Sequence, residues 1–113
     1  MKNEEARIED CLKTVILNQP GEIIVVDGDS SDNTVSLSSN FTQNVIVTKN
    51  SNLTRDRQIG IDAANNPLIA MIDADHRLDS SSLENMLSDL KFYNFDIVQS
   101  QLISFKNNNF WNI

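Results

Sequence analysis

The sequence predicts an α/β fold in which helices flank a mostly parallel sheet. Two observations support this class. Short β-branched runs bounded by turn residues alternate with segments of helical periodicity along the 113 residues, and acidic turns directly follow two of those runs. The predicted order is α-β-α-β-α-β-α-β. Open α/β domains usually begin with a strand, whereas this chain begins with a helix.

Two helices and two strands are predicted in the first half. In residues 22–26, EIIVV is a short β-branched run typical of a buried strand, and VIVT in residues 45–48 predicts a second strand. A short helix is expected over residues 32–39. Residues 4–18 predict an amphipathic helix because their apolar side chains recur at helical spacing, namely Ile8, Cys11, Leu12, Val15 and Ile16.

In the second half of the chain, predicted helices and strands alternate again. Thr54 is the predicted N-cap of a helix that runs to Ala64, where NNP stops it. LIAMI in residues 68–72 predicts a third strand. The apolar stripe of residues 79–93 predicts a helix, and the alternation in residues 96–105 predicts a fourth strand with one wetter face.

Composition restricts the class of partner and the compartment. The net charge of −7 argues against nucleic acid and is compatible with a site that gathers cations. A single cysteine, Cys11, forms no internal disulfide, which suits a reducing compartment. No apolar run is long enough to cross a bilayer, and residues 1–10 lack the pattern of a signal peptide. We therefore predict a cytoplasmic protein without a transmembrane segment.

Two acidic turns follow predicted strands, at the edge of the sheet where such folds bind ligands. Asp27, Asp29 and Asp32 follow the first strand, and Asp73 and Asp75 follow the third. Residues i and i+2 of an extended segment point to the same side, so the second pair can converge on one cation. Mg²⁺ is commonly held by one or two carboxylates together with substrate phosphates. The pair therefore predicts a divalent metal that carries a diphosphate.

Three other interpretations remain open. Aspartates after strands often only form turns or cap the next helix. IIVVDGDSS is similar to the opening of haloacid dehalogenase-type phosphatases, with Asp27 as nucleophile and Thr48 after the next strand, although the spacing to the later acidic pair is too short. The third interpretation is a non-enzymatic binding module that self-associates through an unpaired sheet edge.

Four segments in order resemble glycosyltransferase family 2, enzymes with the Rossmann-like GT-A nucleotide-diphospho-sugar transferase fold. NEEARIEDCL resembles the helix after the family's first strand. The apolar strand ending in D-x-D corresponds to Asp73 and Asp75. The family's V-D-x-x-S-x-D-x-T turn is matched by Val26, Asp27, Ser30, Asp32 and Thr34. Its A-R-N-x-G-[IL] helix is matched in part, by Arg57, Gly60 and Ile61.

The resemblance implies a nucleotide-sugar site formed by Asp27, Asp32, Arg57, Asp73 and Asp75. Asp27 would accept the N–H of a nucleobase, and a carboxylate only accepts, so a UDP-, dTDP- or GDP-sugar is implied. Asp75, with Asp73, would bind Mg²⁺ or Mn²⁺, which stabilises the leaving diphosphate during inverting transfer to an acceptor of unknown identity.

The chain also departs from the family at both ends. The family's first strand is missing, because Met1 falls where that strand would end. The carboxylate base for inverting transfer is expected beyond Ile113, so this chain is predicted to hold no catalytic base. We therefore expect residues 1–113 to be a single, partial GT-A domain with little activity alone.

Overall fold

A computed structural model describes residues 1–99 as a mixed α/β structure. Met1–Ser81 form one compact unit, and a second unit begins at Ser82. The single domain predicted for residues 1–113 stays a prediction. The elements of the described residues are, in chain order, α1 (Ile8–Leu17), β1 (Val25–Asp27), α2 (Thr34–Ser38), β2 (Val45–Val47), α3 (Leu53–Ala63) and α4 (Ser82–Tyr93).

The sheet of the described residues consists of β1 and β2, which pair in parallel as predicted. In its register Val25 faces Val45 and Asp27 faces Val47. The N–H of Thr48 donates to the carbonyl of Asp27 at 2.7 Å, so the pairing extends one residue past β2. This bond brings the carboxyl ends of both strands to one edge of the sheet.

The strand predicted at residues 68–72 is wrong. These residues form no strand, and Leu68, Ile69 and Met71 are exposed. A strand needs a neighbour that completes its ladder of hydrogen bonds, and neither β1 nor β2 pairs with this segment. Residues 96–99 also form no strand, and the rest of the predicted fourth strand, residues 100–105, lies outside the described residues.

Met1 lies along the edge of β1 that faces away from β2. Its ammonium group donates to the carbonyl of Val26 at 3.1 Å, and its carbonyl accepts from the N–H of Gly28 at 2.6 Å. These two bonds equal one step of a parallel ladder. Further along this edge, the backbone of Ile24 forms no hydrogen bond within residues 1–99, so the edge is only partly paired.

The core lies where α1 packs on β1. Ile8 and Leu12 of α1, Val25 of β1 and Ala74 form one buried cluster. Burying an aliphatic side chain of this size stabilises the fold by roughly 1.5–3 kcal/mol. Cys11, on the same face of α1, is buried as predicted, and its thiol donates to the carbonyl of Asp73 at 3.6 Å. The core thereby holds residues 73–74 against α1.

α3 begins two residues earlier than predicted. Its N-cap is Asn52, whose side-chain oxygen accepts from the N–H of Arg55 at 2.8 Å. Asparagine is a stronger N-cap than threonine, which explains why Thr54 lies inside the helix instead. The helix ends at Ala63, one residue before the predicted end, and Ala64 is its C-cap.

α4 confirms the helix predicted after residue 79. Within this second unit Phe92 meets Tyr93 edge-on, with ring centroids 4.8 Å apart, and Tyr93 stacks on Phe95 at 5.2 Å. Such pairs prefer these geometries because of the charge distribution of the rings. Within the described residues, none of the helices has the length and apolar character required to span a bilayer.

The turn after β1 is tied to the N-terminal segment through Thr34. This side chain is fully buried, and its hydroxyl accepts from the N–H of Glu4 at 2.9 Å and donates to the carboxylate of Asp32. Asp32 also accepts from the N–H groups of Thr34 and Glu5, at 3.0 and 3.3 Å. The turn interpretation of Asp32 is thus seen in the structure, whereas the N-cap of α2 is Asn33, without a side-chain capping bond.

Replacing Thr34 with valine should lower the free energy of unfolding by about 1–3 kcal/mol, because the N–H of Glu4 and the carboxylate of Asp32 lose a partner. Denaturant unfolding of the purified chain measures the change. The matched control is Ser36→Ala, an exposed hydroxyl of the same helix that donates to the carbonyl of Asn33. It should stay within about 0.5 kcal/mol of the wild type, and equal losses would contradict this assignment.

Asp32 should also make stability depend on pH. The hydrogen bond from the Thr34 hydroxyl, opposed by desolvation, holds the pKa of Asp32 below its ordinary value. A carboxylate with a depressed folded-state pKa stabilises above the unfolded pKa, about 3.9, and this contribution disappears as pH falls through the folded value. The stability difference between wild type and Asp32→Asn should therefore be constant near pH 7 and shrink below about pH 4.

Unfolding measured from pH 7 to pH 3 tests this expectation. The same substitution in a Thr34→Val background is the control, since the main donor to Asp32 is then absent and the pH-dependent difference should become smaller. An undiminished difference at pH 3 would rule out the proposed linkage.

Candidate functional site

The predicted acidic pair converges in the turn that follows residue 72. One ligand atom each from Asp73, Asp75 and His76 lies within 4.8 Å of the others. The turn is closed by the N–H of His76, which donates to the carbonyl of Asp73 at 2.9 Å. Both carboxylates are about half exposed, and His76 Nε2 lies 3.9 and 3.8 Å from their nearest oxygens. The three side chains thus form an open group of potential metal ligands.

Ala74 explains why the two carboxylates share a side. It is buried in the core against α1, while Asp73 and Asp75 on either side of it are exposed. Alternate residues of extended backbone point in opposite directions. Burying the small middle residue therefore turns both acidic neighbours outward.

Arg57 of α3 contacts this group through Asp73. Its Nη2 donates to Asp73 Oδ1 at 3.2 Å, and both side chains are about half exposed. An exposed ion pair of this kind contributes at most about 1 kcal/mol to stability. The structure therefore places Arg57 beside Asp73, in a position that can hold that carboxylate in place, while the contact of Arg57 with a nucleotide stays a prediction.

The negative charges of Asp73 and Asp75 affect the buried thiol of Cys11. Burial, followed by the negative charges of Asp75 and Asp73, raises the pKa of the Cys11 thiol to about 11. The thiol consequently stays protonated at neutral pH and keeps its hydrogen bond to the carbonyl of Asp73. The site is a region of negative potential, which attracts cations.

Arg77 and α1 fix the chain after the acidic turn. Arg77 Nη2 donates to Asp10 Oδ2 at 3.0 Å, and the N–H of Leu78 donates to the hydroxyl of Thr14 at 3.1 Å. Together with the buried Ala74, these bonds hold both sides of the turn against α1. The geometry of the acidic turn therefore rests on a helix rather than on the turn alone.

Asp27 lies apart from this group and is fully buried. Its Oδ2 accepts from the N–H of Ser30 at 2.8 Å and its Oδ1 from the Ser30 hydroxyl at 2.6 Å. This is turn chemistry, which the sequence left open as an interpretation. The contact of Asp27 with a nucleobase stays a prediction. A buried carboxylate with both oxygens engaged does not favour the nucleophile role in the phosphatase alternative.

Sequence reasoning missed Asp56. It lies on α3 between Arg55 and Arg57, yet only 6% of it is exposed. Its Oδ1 accepts from the Thr48 hydroxyl at 2.9 Å. A hydrogen bond from the Ser51 side chain, opposed by desolvation and assisted by Thr48, lowers the pKa of Asp56. A signal was available, because residues 56, 59 and 60 lie at helical spacing on the less exposed face of α3.

A cavity of about 350 Å³ lies at the carboxyl ends of β1 and β2. It is lined by Met1, Lys2, Gly28, Asp29, residues 50–53 and Asp56. Gly28 leaves room at its wall, because a Cβ there would lie 3.3 Å from the Met1 carbonyl oxygen and 3.4 Å from Asp56 Oδ2. A buried carboxylate thus borders an open space at the edge where parallel sheets bind ligands.

Comparison with known proteins agrees with this arrangement. The family model described as glycosyl transferase family 2 matches residues 1–113, the whole chain. Searches among curated proteins and among solved structures find no match. Since the match covers every segment that forms the acidic turns and α3, the chain belongs to glycosyl transferase family 2.

Proposed function

We propose that this chain binds a nucleotide-sugar donor together with Mg²⁺ or Mn²⁺ and serves inverting transfer of the sugar to an acceptor. The observation that carries the proposal is the convergence of Asp73 and Asp75 on one side of a turn held against the core. Family membership supports the transfer of a glycosyl group, and the parallel β1–β2 pair supports a Rossmann-like GT-A arrangement.

The donor atoms of the group fit a hard divalent cation. Carboxylate oxygens suit Mg²⁺ and Mn²⁺, whereas an imidazole nitrogen is a better ligand for softer metals. Asp75 and Asp73 would therefore hold the ion, and His76 would lie beside it as a hydrogen-bond donor to phosphate. A cation bound there supplies positive charge to the diphosphate that leaves during transfer.

Arg57 would have two roles in this site. Its bond to Asp73 holds that carboxylate toward the turn, and its charge offsets part of the negative potential that would otherwise repel a diphosphate. Because Arg57 lies on α3 and the acidic pair lies beside α1, both helices would contribute to one donor site. We also propose a cytoplasmic location, where nucleotide sugars are made.

A second candidate, an interaction module, is favoured by the partly paired edge of β1. The backbone N–H and carbonyl of Ile24 have no hydrogen-bond partner within residues 1–99, and such groups pair with a strand of another chain. This candidate predicts a concentration-dependent dimer in sedimentation experiments and no thermal shift with nucleotides. The donor-binding proposal predicts such a shift whether or not the chain dimerises, which separates the two.

Removing one carboxylate of the pair should remove the metal-dependent part of donor binding. The purified chain should show a thermal shift with at least one of UDP-, dTDP- and GDP-sugars, and the shift should grow when Mn²⁺ is added. In Asp75→Asn we expect the Mn²⁺-dependent part to weaken about tenfold or more in affinity, since a neutral amide is a poorer ligand for a hard cation.

The control for this test is Asp79→Asn, which removes the same charge from an exposed residue outside the metal-ligand group. Its Mn²⁺-dependent shift should equal that of the wild type. The proposal fails when no sugar nucleotide shifts the wild type, or when Asp75→Asn retains the full effect of Mn²⁺.

A further inference from the structure

We propose that Arg57 is a built-in counter-ion of the acidic pair, which competes with the divalent cation for Asp73 until the diphosphate of the donor offers it another partner. Arg57 thereby makes the cation and the diphosphate bind cooperatively. This inference rests on the proposed donor binding and adds its regulation, because the acidic pair then holds the metal only weakly when no donor is bound. Three features of the described residues carry it.

The first feature is the contact itself. Arg57 Nη2 lies 3.2 Å from Asp73 Oδ1, so the guanidinium occupies an oxygen of the proposed metal site. A cation that binds Asp73 and Asp75 therefore shares one carboxylate with a positively charged side chain. Two cations on one carboxylate repel each other, and the repulsion on a divalent ion is twice that on a monovalent one. The contact thus opposes metal binding.

The second feature is that this ion pair is reversible. The side chains of Arg57 and Asp73 are 46% and 52% exposed, so water can replace either partner. Exposed ion pairs of this kind contribute little to stability, whereas breaking a buried pair leaves an uncompensated charge. The guanidinium can therefore leave Asp73 with little loss of free energy.

The third feature is the anchoring of α3 beside Arg57. The preceding residue, Asp56, is buried and accepts from the Thr48 hydroxyl at 2.9 Å. Thr48 in turn donates its N–H to the carbonyl of Asp27 in β1. Because Asp56 fixes this turn of the helix to the sheet, Arg57 can change partner by rotation of its own side chain, without movement of α3.

The charge balance gives the direction of the effect. Asp73 and Asp75 together carry a charge of −2, and Arg57 reduces it to −1. A divalent cation would bring the three side chains and the ion to +1, an excess that a diphosphate removes. A guanidinium binds phosphate oxygens through two parallel N–H donors. The diphosphate therefore offers Arg57 a partner in place of Asp73, and the metal then holds that carboxylate without competition.

Thermodynamic linkage makes the effect reciprocal. The factor by which the diphosphate raises the affinity for the cation equals the factor by which the cation raises the affinity for the diphosphate. Direct attraction between the two ligands supplies a part of this factor that is independent of Arg57. The remainder disappears when the charge of Arg57 is removed. A residue that only oriented Asp73 would behave differently, because its removal would weaken metal binding with or without the diphosphate.

Calorimetric titration of the full chain with Mn²⁺ alone tests the competition. Arg57→Gln should bind Mn²⁺ about three- to tenfold more tightly than the wild type at low salt, since the competing charge is gone. Arg57→Lys keeps the charge and should stay within about twofold of the wild type. The matched control is Arg55→Gln, which removes the same charge from another exposed position of α3 and should also stay within about twofold.

Titration with UDP and GDP, each with and without Mn²⁺, tests the coupling. The Mn²⁺–nucleotide complex that forms without protein is measured separately and subtracted. The factor by which Mn²⁺ raises nucleotide affinity should fall about three- to tenfold in Arg57→Gln and keep the wild-type value in Arg55→Gln. Because the ion pair contributes little to stability, both variants are expected to fold, and far-UV circular dichroism checks this.

Weaker or unchanged binding of Mn²⁺ alone by Arg57→Gln would overturn the competition. An unchanged coupling factor in that variant would overturn the cooperative role. Both results would leave the donor proposal standing as long as Mn²⁺-dependent nucleotide binding still requires Asp75. Failure of both nucleotides to bind the wild type would overturn the donor proposal together with this inference.

Discussion

The candidate site depends on one packing constraint, the burial of Ala74. With Ala74 in the core against Ile8, Leu12 and Val25, the alternation of extended backbone turns Asp73 and Asp75 outward together. A larger residue would not fit without displacing α1, and a polar one would be desolvated without a partner. The hydrophobic core, rather than attraction between the site's own charges, therefore holds two like charges together.

The sequence predicted the convergence of the acidic pair because i and i+2 spacing is a local property. The prediction of a strand at residues 68–72 was wrong because a strand forms only where a neighbouring strand pairs with it. LIAMI has the composition of a strand, but composition cannot show whether another backbone lies alongside to complete the ladder. The prediction of β1 and β2 was correct for the same reason, since each strand pairs with the other.

Asp27 and Asp56 show a second limit of sequence reasoning. Asp27 matched a motif, yet its oxygens are used by Ser30, three residues away. Asp56 matched nothing, yet it borders the cavity because α3 turns it toward the carboxyl ends of the strands. A motif names which residue types occur, whereas the hydrogen bonds of each carboxylate decide whether a ligand can reach it.

The carboxylates also differ in their surroundings. Asp73 and Asp75 are exposed and only lightly engaged, so a cation can approach them, whereas Asp56 is buried and accepts from the Thr48 hydroxyl. Hydrogen bonds from Ser51 and Thr48, together with the positive charges of the N-terminal ammonium group and Arg55, lower the pKa of Asp56 and keep it ionised. Ion binding calls for exposed, adjustable carboxylates, which Asp73 and Asp75 provide, whereas the buried Asp56 ties α3 to the end of β2 through Thr48. The next residue, Arg57, donates to Asp73, so the register of α3 links the sheet edge to the acidic turn.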